Sequence, residues 1–196
     1  MNIFWLSLNI KKCAKYHCDK HVVKMILESA QMLCTAHHYY YGITGIYLVN
    51  REYLYKKTSY KHPCTAWVIE SYYNYMKLYD LYIELCKEYT YRYKKIHLCE
   101  IKLLKLLSTA PYKIPCIFNN KLPIAIANKE LLIYNVYGEV DVVESYRRYY
   151  VIEKSRFALW NKGRDIPKWY IYDIIEEILI KIFDEKIFEN IIKYVL

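Results

Sequence analysis

Hydrophobic and polar positions along the chain fall into helical periods separated by short breaks. Residues 2–6 read as a brief extended lead-in, Asn9 suits an N-cap, and a first long helix is predicted from about Ile10 to about His38. Gly42 and Gly45 interrupt that pattern, so 39–61 reads as a loop with one short element around Ile46–Tyr55. Pro63 fits a helix first turn after His62, and Val68, Tyr72, Tyr75, Leu78, Tyr79, Tyr82 and Leu85 recur at helical spacing from Thr65 to about Tyr93. Residues 98–107 predict a short third helix, and 108–135, with Pro111, Pro115 and Pro123, an irregular stretch. A further helix is expected from about Val140 to Trp160, and a last one from Ile171 to Val195 with Ile174, Ile175, Ile178, Ile182, Phe183 and Ile187 on its apolar side. The fold class that follows is all-α: a single-domain helical bundle with a long irregular loop at about 108–135. Residues 1–170 form the main domain, and 171–196 an appended amphipathic helix packing on it.

Composition sharpens this picture in three places. An apolar fraction of 55% excludes a disordered chain. The formal charge of +9 favours a polyanionic partner, because phosphate binding releases condensed counterions. Seven cysteines, an odd number scattered through helical patterns, read as reduced and mostly buried thiols in a cytosolic compartment. No secretory signal is evident at the start, and charges interrupt the greasiest segment, so no membrane association is expected.

The first predicted helix carries the candidate chemistry. At about 100° per residue, His17, His21, Lys24, Glu28, Gln31 and Thr35 fall in one narrow band, joined by Cys13. Val22, Met25, Ile26, Ala30, Leu33 and other apolar residues occupy most of the remaining circumference. Ionisable groups on a largely buried helix are costly unless paired or used. One reading is a closed internal network of Lys24 with Glu28 and of histidines with tyrosine hydroxyls. The other is a functional seam, for which three chemistries fit: acid–base work by His17, His21 and Glu28; imine formation by Lys24; or a metal held by His17 and His21 at i,i+4 with Cys13 or Glu28. The favoured site contains no metal, and no cofactor is expected.

Basic residues interleaved with rings supply candidate nucleic-acid contacts. Lys61 and His62 open the second helix, where amides favour anions. Arg92, Lys94 and Lys95 stand among Tyr89, Tyr91 and Tyr93, while Arg147, Arg148 and Lys154 stand among Tyr146, Tyr149 and Tyr150. That combination suits phosphate contact with base stacking, although a snorkelling helix end has the same pattern.

The block from Tyr16 to His37, the segment His62-Pro-Cys-Thr-Ala-Trp67 and the segment Glu88-Tyr-Thr-Tyr-Arg-Tyr93 resemble a group of phage and large-virus proteins. More remotely, the layout over residues 1–170 is similar to the pyrimidine-dimer DNA glycosylases of the phage endonuclease V type. The likeness lies in the short lead-in, an early histidine on the first helix (His17), a histidine opening the next long helix (His62), a basic aromatic end to that helix, and a late Trp169-Tyr170. The resemblance implies a small helical enzyme that flips a base out of DNA, cleaves the glycosidic bond, and cuts the strand through an imine. Two departures stand out. The family's nucleophile is the terminal amine after removal of methionine, whereas Asn2 is large enough for Met1 to stay and displace it. The family's carboxylate follows its first-helix histidine by two turns, where this chain has Lys24, with Glu28 a turn later.

The leading expectation is a base-excising DNA glycosylase with an accompanying lyase step. Lys24 or the terminal amine would serve as nucleophile, Glu28 as acid and base, and His17 and His21 would position the sugar or polarise the base. Lys61, His62, Arg92, Lys94, Lys95, Arg147, Arg148 and Lys154 would bind the strand. The expected partner is DNA, with RNA or a free nucleotide as alternatives, the protein acting as monomer or homodimer in the cytoplasm of an infected host or in a virion. The rival expectations are a non-catalytic nucleic-acid binder and a metal-dependent hydrolase or nucleotide-modifying enzyme.

Overall fold

The computed structural model describes residues 1–45, 54–118 and 121–195. Within them the chain forms helices α1 (Ile10–Tyr16), α2 (Asp19–Gly45), α3 (Pro63–Glu70), α4 (Tyr72–Tyr93), α5 (Leu98–Leu107), α6 (Val142–Tyr149) and α7 (Lys168–Val195). A two-stranded antiparallel hairpin, β1 (Ile133–Tyr134) with β2 (Val140–Asp141), pairs Ile133 with Asp141. The molecule is a helical bundle, and α2 packs against α3, α4 and α5 at its centre. The short element expected around Ile46–Tyr55 falls almost wholly outside the described residues.

Two expected long helices are each split, for reasons the chain supplies from a distance. The first breaks at His17, which is extended (φ −60°, ψ 135°), so α1 and α2 are separate. Carbonyls freed by the break are taken by Arg92, whose Nη2 donates to Lys15 O and Nη1 to His17 O, both at 2.9 Å. The second breaks at Ser71 between α3 and α4. Ser71 Oγ accepts from the Tyr73 amide at 3.1 Å and donates to the Ile117 carbonyl, while the Tyr72 amide reaches Pro115 O at 2.8 Å. Helix α2 also runs beyond the expected end at His38, with Gly42 at φ 59° interrupting it near the far end.

Among the described residues, the loop region between α5 and the hairpin is irregular apart from a 3₁₀ turn at Lys129–Leu131. After α6 the expected helix to Trp160 degrades into a π-helical turn, Tyr150–Lys154, and a 3₁₀ turn, Ser155–Phe157. Two buried tyrosines pair their hydroxyls with backbone: Tyr75 donates to Leu107 O and Tyr79 to Leu104 O, each at 2.9 Å, locking the end of α5 onto α4. On α7, Tyr170 is buried and Ile174 packs on the core, whereas Ile175, Ile178, Ile182 and Phe183 are exposed. Six of the seven cysteines are buried and all are free. No helix among the described residues is long and apolar enough to cross a membrane.

Candidate active site

The predicted seam divides where α1 ends. Its inner part is closed. His17 is fully buried, and its Nδ1 donates to the Cys13 carbonyl at 2.8 Å. His21 sits in the first turn of α2 with its ring stacked on Phe4 at 4.6 Å and its Nδ1 bonded to the Tyr150 hydroxyl. Neither imidazole reaches solvent, so neither can touch a sugar or base in this conformation. With α1 and α2 no longer one helix, the i,i+4 relation between these histidines is also lost. No three potential metal ligands converge among the described residues, which removes the site of Cys13, His17 and His21.

Burial lowers the pKa of His17 to about 4 against its Cys13 hydrogen bond, and that of His21 to about 3, where electrostatic repulsion of a second proton by His17 and the charges of Lys154 and Lys24 add to burial. His37, bonded to the Tyr75 hydroxyl at 2.9 Å, is lowered by burial to about 4. Each ring is neutral in the folded chain, so below an ordinary imidazole pKa of roughly 6.5 the unfolded chain binds more protons than the native one. Stability from these groups is therefore complete above about pH 6.5 and lost as pH falls toward the folded values, each contributing up to about 1.4 kcal/mol per pH unit. Thermal melts from neutral pH down to about pH 4.5 are expected to show a steep decline; a flat profile would contradict the buried neutral histidines.

The outer end of the seam is different. Glu28 is buried, with a side chain 10% exposed, and Lys24 beside it is 65% exposed, their charges 3.5 Å apart. The second Glu28 oxygen accepts from the backbone nitrogen of Asn2 at 2.7 Å. The lead-in segment is thus threaded past α2, and Phe4 bends it through a left-handed conformation (φ 47°) that costs about 1–3 kcal/mol for a non-glycine residue. The Phe4 ring offsets this by packing in the core against His21, Tyr146 and Tyr150. His62 caps α3, its Nδ1 accepting from the Cys64 amide at 3.3 Å. Burial lowers its pKa, and the positive charge at the Met1 amine lowers it further. The chain's first residues, Glu28, Lys24 and His62 thus form one cluster with a solvent-facing cation.

Residues 1–101 match the family model of pyrimidine dimer DNA glycosylases, just over half of the 196-residue chain. The chain belongs to this family. Comparison with curated proteins and with solved structures finds no match. The matched stretch holds Asn2, His21, Lys24, Glu28 and His62.

The expected strand-binding residues separate into bound and free. Arg92 is not a phosphate contact: its guanidinium is fully buried, with Nε on Glu88 at 2.7 Å and Nη1 on Asp19 at 2.9 Å in addition to the two carbonyls of the α1 break. Arg164 completes the network, bonding Glu88 through Nε at 2.7 Å and Nη2 at 2.8 Å and stacking on Tyr91. Burial pushes Glu88 up, and the hydrogen bonds from Arg164 and Arg92 overcome it and hold the carboxyl below its ordinary value. Arg147 is largely committed too, to Leu6 O at 3.2 Å and Glu144 at 2.7 Å, over the Trp169 ring. Lys154 lies over Tyr149 at 4.4 Å, and Lys94, the left-handed C-cap of α4, over Tyr91 at 4.9 Å. Lys61, Lys94, Lys95 and Arg148 are exposed.

Sequence reasoning passed over Asn2 as a site residue and weighed it only for methionine retention. It also passed over Arg164, whose setting in a polar loop gives no sign that it reaches a buried carboxylate. The contact between Asn2 and Glu28 had one signal: both are required near each other if the family's amine and carboxylate are to meet.

Proposed function

We propose that this protein excises a damaged pyrimidine from DNA by attack of its terminal α-amine on C1′, with Glu28 as the proton-transfer carboxylate. The observation that carries this reading is the 2.7 Å contact between Asn2 N and Glu28. The reading requires that Met1 be removed despite the size of Asn2, which makes that same nitrogen the amine. Lys24 is the weaker nucleophile, since imine-forming lysines are activated by desolvation and its ammonium lies in solvent. It is better suited to meet a flanking phosphate, as are the exposed Lys61, Lys94, Lys95 and Arg148. The family's histidine-to-carboxylate interval also fits once α2 is taken as the first long helix. His21 is then its early histidine, and Glu28 follows it by two turns.

In this scheme the free amine attacks C1′, and the glycosidic bond breaks with its electron pair leaving on the base, which takes up a proton. Glu28 accepts a proton from the amine nitrogen and returns it to O4′ as the C1′–O4′ bond opens to a protonated imine. Loss of a C2′ proton then expels the 3′ phosphate, which is the lyase step. His17 and His21 act by packing around Phe4 and so holding the lead-in segment in place, without touching substrate.

Borohydride reduces an imine to a stable amine, so it links enzyme to an oligonucleotide bearing a pyrimidine dimer or an abasic site. A covalent adduct is expected, mapping by mass spectrometry to the terminal residue, with the same spectrum reporting whether Met1 is absent. An adduct on Lys24, or none on either substrate, would overturn the mechanism.

A further inference from the structure

Chain ends fray unless tied down, and Asn2 is tied down by its side chain. Its Oδ1 accepts from the Tyr146 hydroxyl at 2.6 Å and the Ile3 amide at 2.9 Å, with Cys64 Sγ at 3.9 Å. Its Nδ2 donates to the Ala125 carbonyl at 3.2 Å. Tyr146 is fully buried on α6, and its oxygen also accepts from the Ala125 amide at 3.0 Å. Burial pushes the phenol well above the ordinary tyrosine value, so it stays protonated and able to donate. Helix α6 is itself anchored beside this point, where Ser145 Oγ accepts from the Ile133 amide at 2.8 Å and holds the hairpin.

Tyr146 lies outside the stretch of chain that matches the family, residues 1–101. We propose that Tyr146 is a positioning residue for this glycosylase: by fixing the Asn2 side chain, it holds the nitrogen of that residue against Glu28. The inference rests on the amine mechanism above. A small misplacement of a reacting group, of about 1 Å, costs on the order of a hundredfold in rate. A terminal residue with a free side chain would sample such displacements. The charged and titratable groups around the Asn2–Glu28 contact are Lys24 from α2, the Met1 amine, His62 and Cys64 from the start of α3, and Tyr146 from α6.

The test compares wild type, Tyr146→Phe, and Tyr146→4-aminophenylalanine, which keeps a donor at the same place. Each full-length protein is trapped with borohydride on an abasic oligonucleotide under single turnover across pH, and its affinity for an uncleavable abasic analogue is measured separately. For Tyr146→Phe we expect a plateau trapping rate about tenfold lower with affinity within about twofold. Its acid limb should move to lower pH, because an amine held less closely to a carboxylate loses part of the stabilisation of its charged form. The 4-amino variant should recover most of the rate; it alone carries the comparison if Tyr146→Phe does not fold, a rate near wild type supporting the assignment and a tenfold loss opposing it. A Tyr146→Phe rate and pH profile matching wild type would reduce Tyr146 to a core residue. Absence of a wild-type adduct, or an adduct on Lys24, would sink the amine mechanism instead.

Discussion

Glu28→Gln is expected to bind DNA and melt close to wild type while forming imine about a thousandfold more slowly. The Glu28 carboxylate accepts from Asn2 N at 2.7 Å, and the amide keeps its shape and one accepting oxygen. What glutamine cannot do is take the amine proton and hand it on, a service worth about 10²–10⁴-fold in enzymes generally. Lys24 loses its partner in the variant, but its ammonium is already in solvent, so little stability should follow. Single-turnover trapping and thermal melting, measured on the same preparation, separate the two effects. Retention of the rate within about tenfold would remove Glu28 from the chemistry, as would a collapse in melting temperature large enough to explain the loss.

Arg92→Met is expected to have the largest effect on stability. The guanidinium is fully enclosed and meets two carboxylates and two carbonyls, so methionine leaves the Asp19 carboxylate buried beside only the Asn161 amide, at 2.8 Å. Breaking a buried ionic cluster by removing one member costs about 3–5 kcal/mol, which for a chain of this size is on the order of 10 °C in melting temperature. Arg92→Lys should recover little, because a single ammonium cannot span the carbonyls of Lys15 and His17 and both acids at once. The melt also discriminates between roles. A phosphate contact would leave melting unchanged and weaken DNA binding, so a variant that melts like wild type would contradict the closed network.

Helical class, the number of long apolar patterns, the irregular stretch after α5 and the position of α5 were legible because they depend on local periodicity and on proline and glycine, which act over a few residues. Family resemblance was legible for the same reason, in the short contiguous blocks Tyr16 to His37, His62 to Trp67 and Glu88 to Tyr93, although the early histidine was placed at His17. The breaks at His17 and Ser71 were not, since each is stabilised by groups far along the chain: Arg92 for the first, Pro115 and Ile117 for the second. The wheel drawn through Cys13 and Thr35 therefore joined residues of two helices. A histidine in the band at position 17 or 21 has the same sequence signature whether it faces solvent or Phe4.

Sequence by itself determined which segments would be helical and which polar groups stood ready for chemistry, because backbone propensity and side-chain type are local properties. Tertiary structure alone decided which of those groups remain reachable: it buried His17, His21 and Arg92, left Lys24 outside, and brought Asn2, Glu28 and Tyr146 together. The reason is physical: desolvation and hydrogen-bond partnership depend on what packs against a residue, and here the partners come from the two ends of the fold.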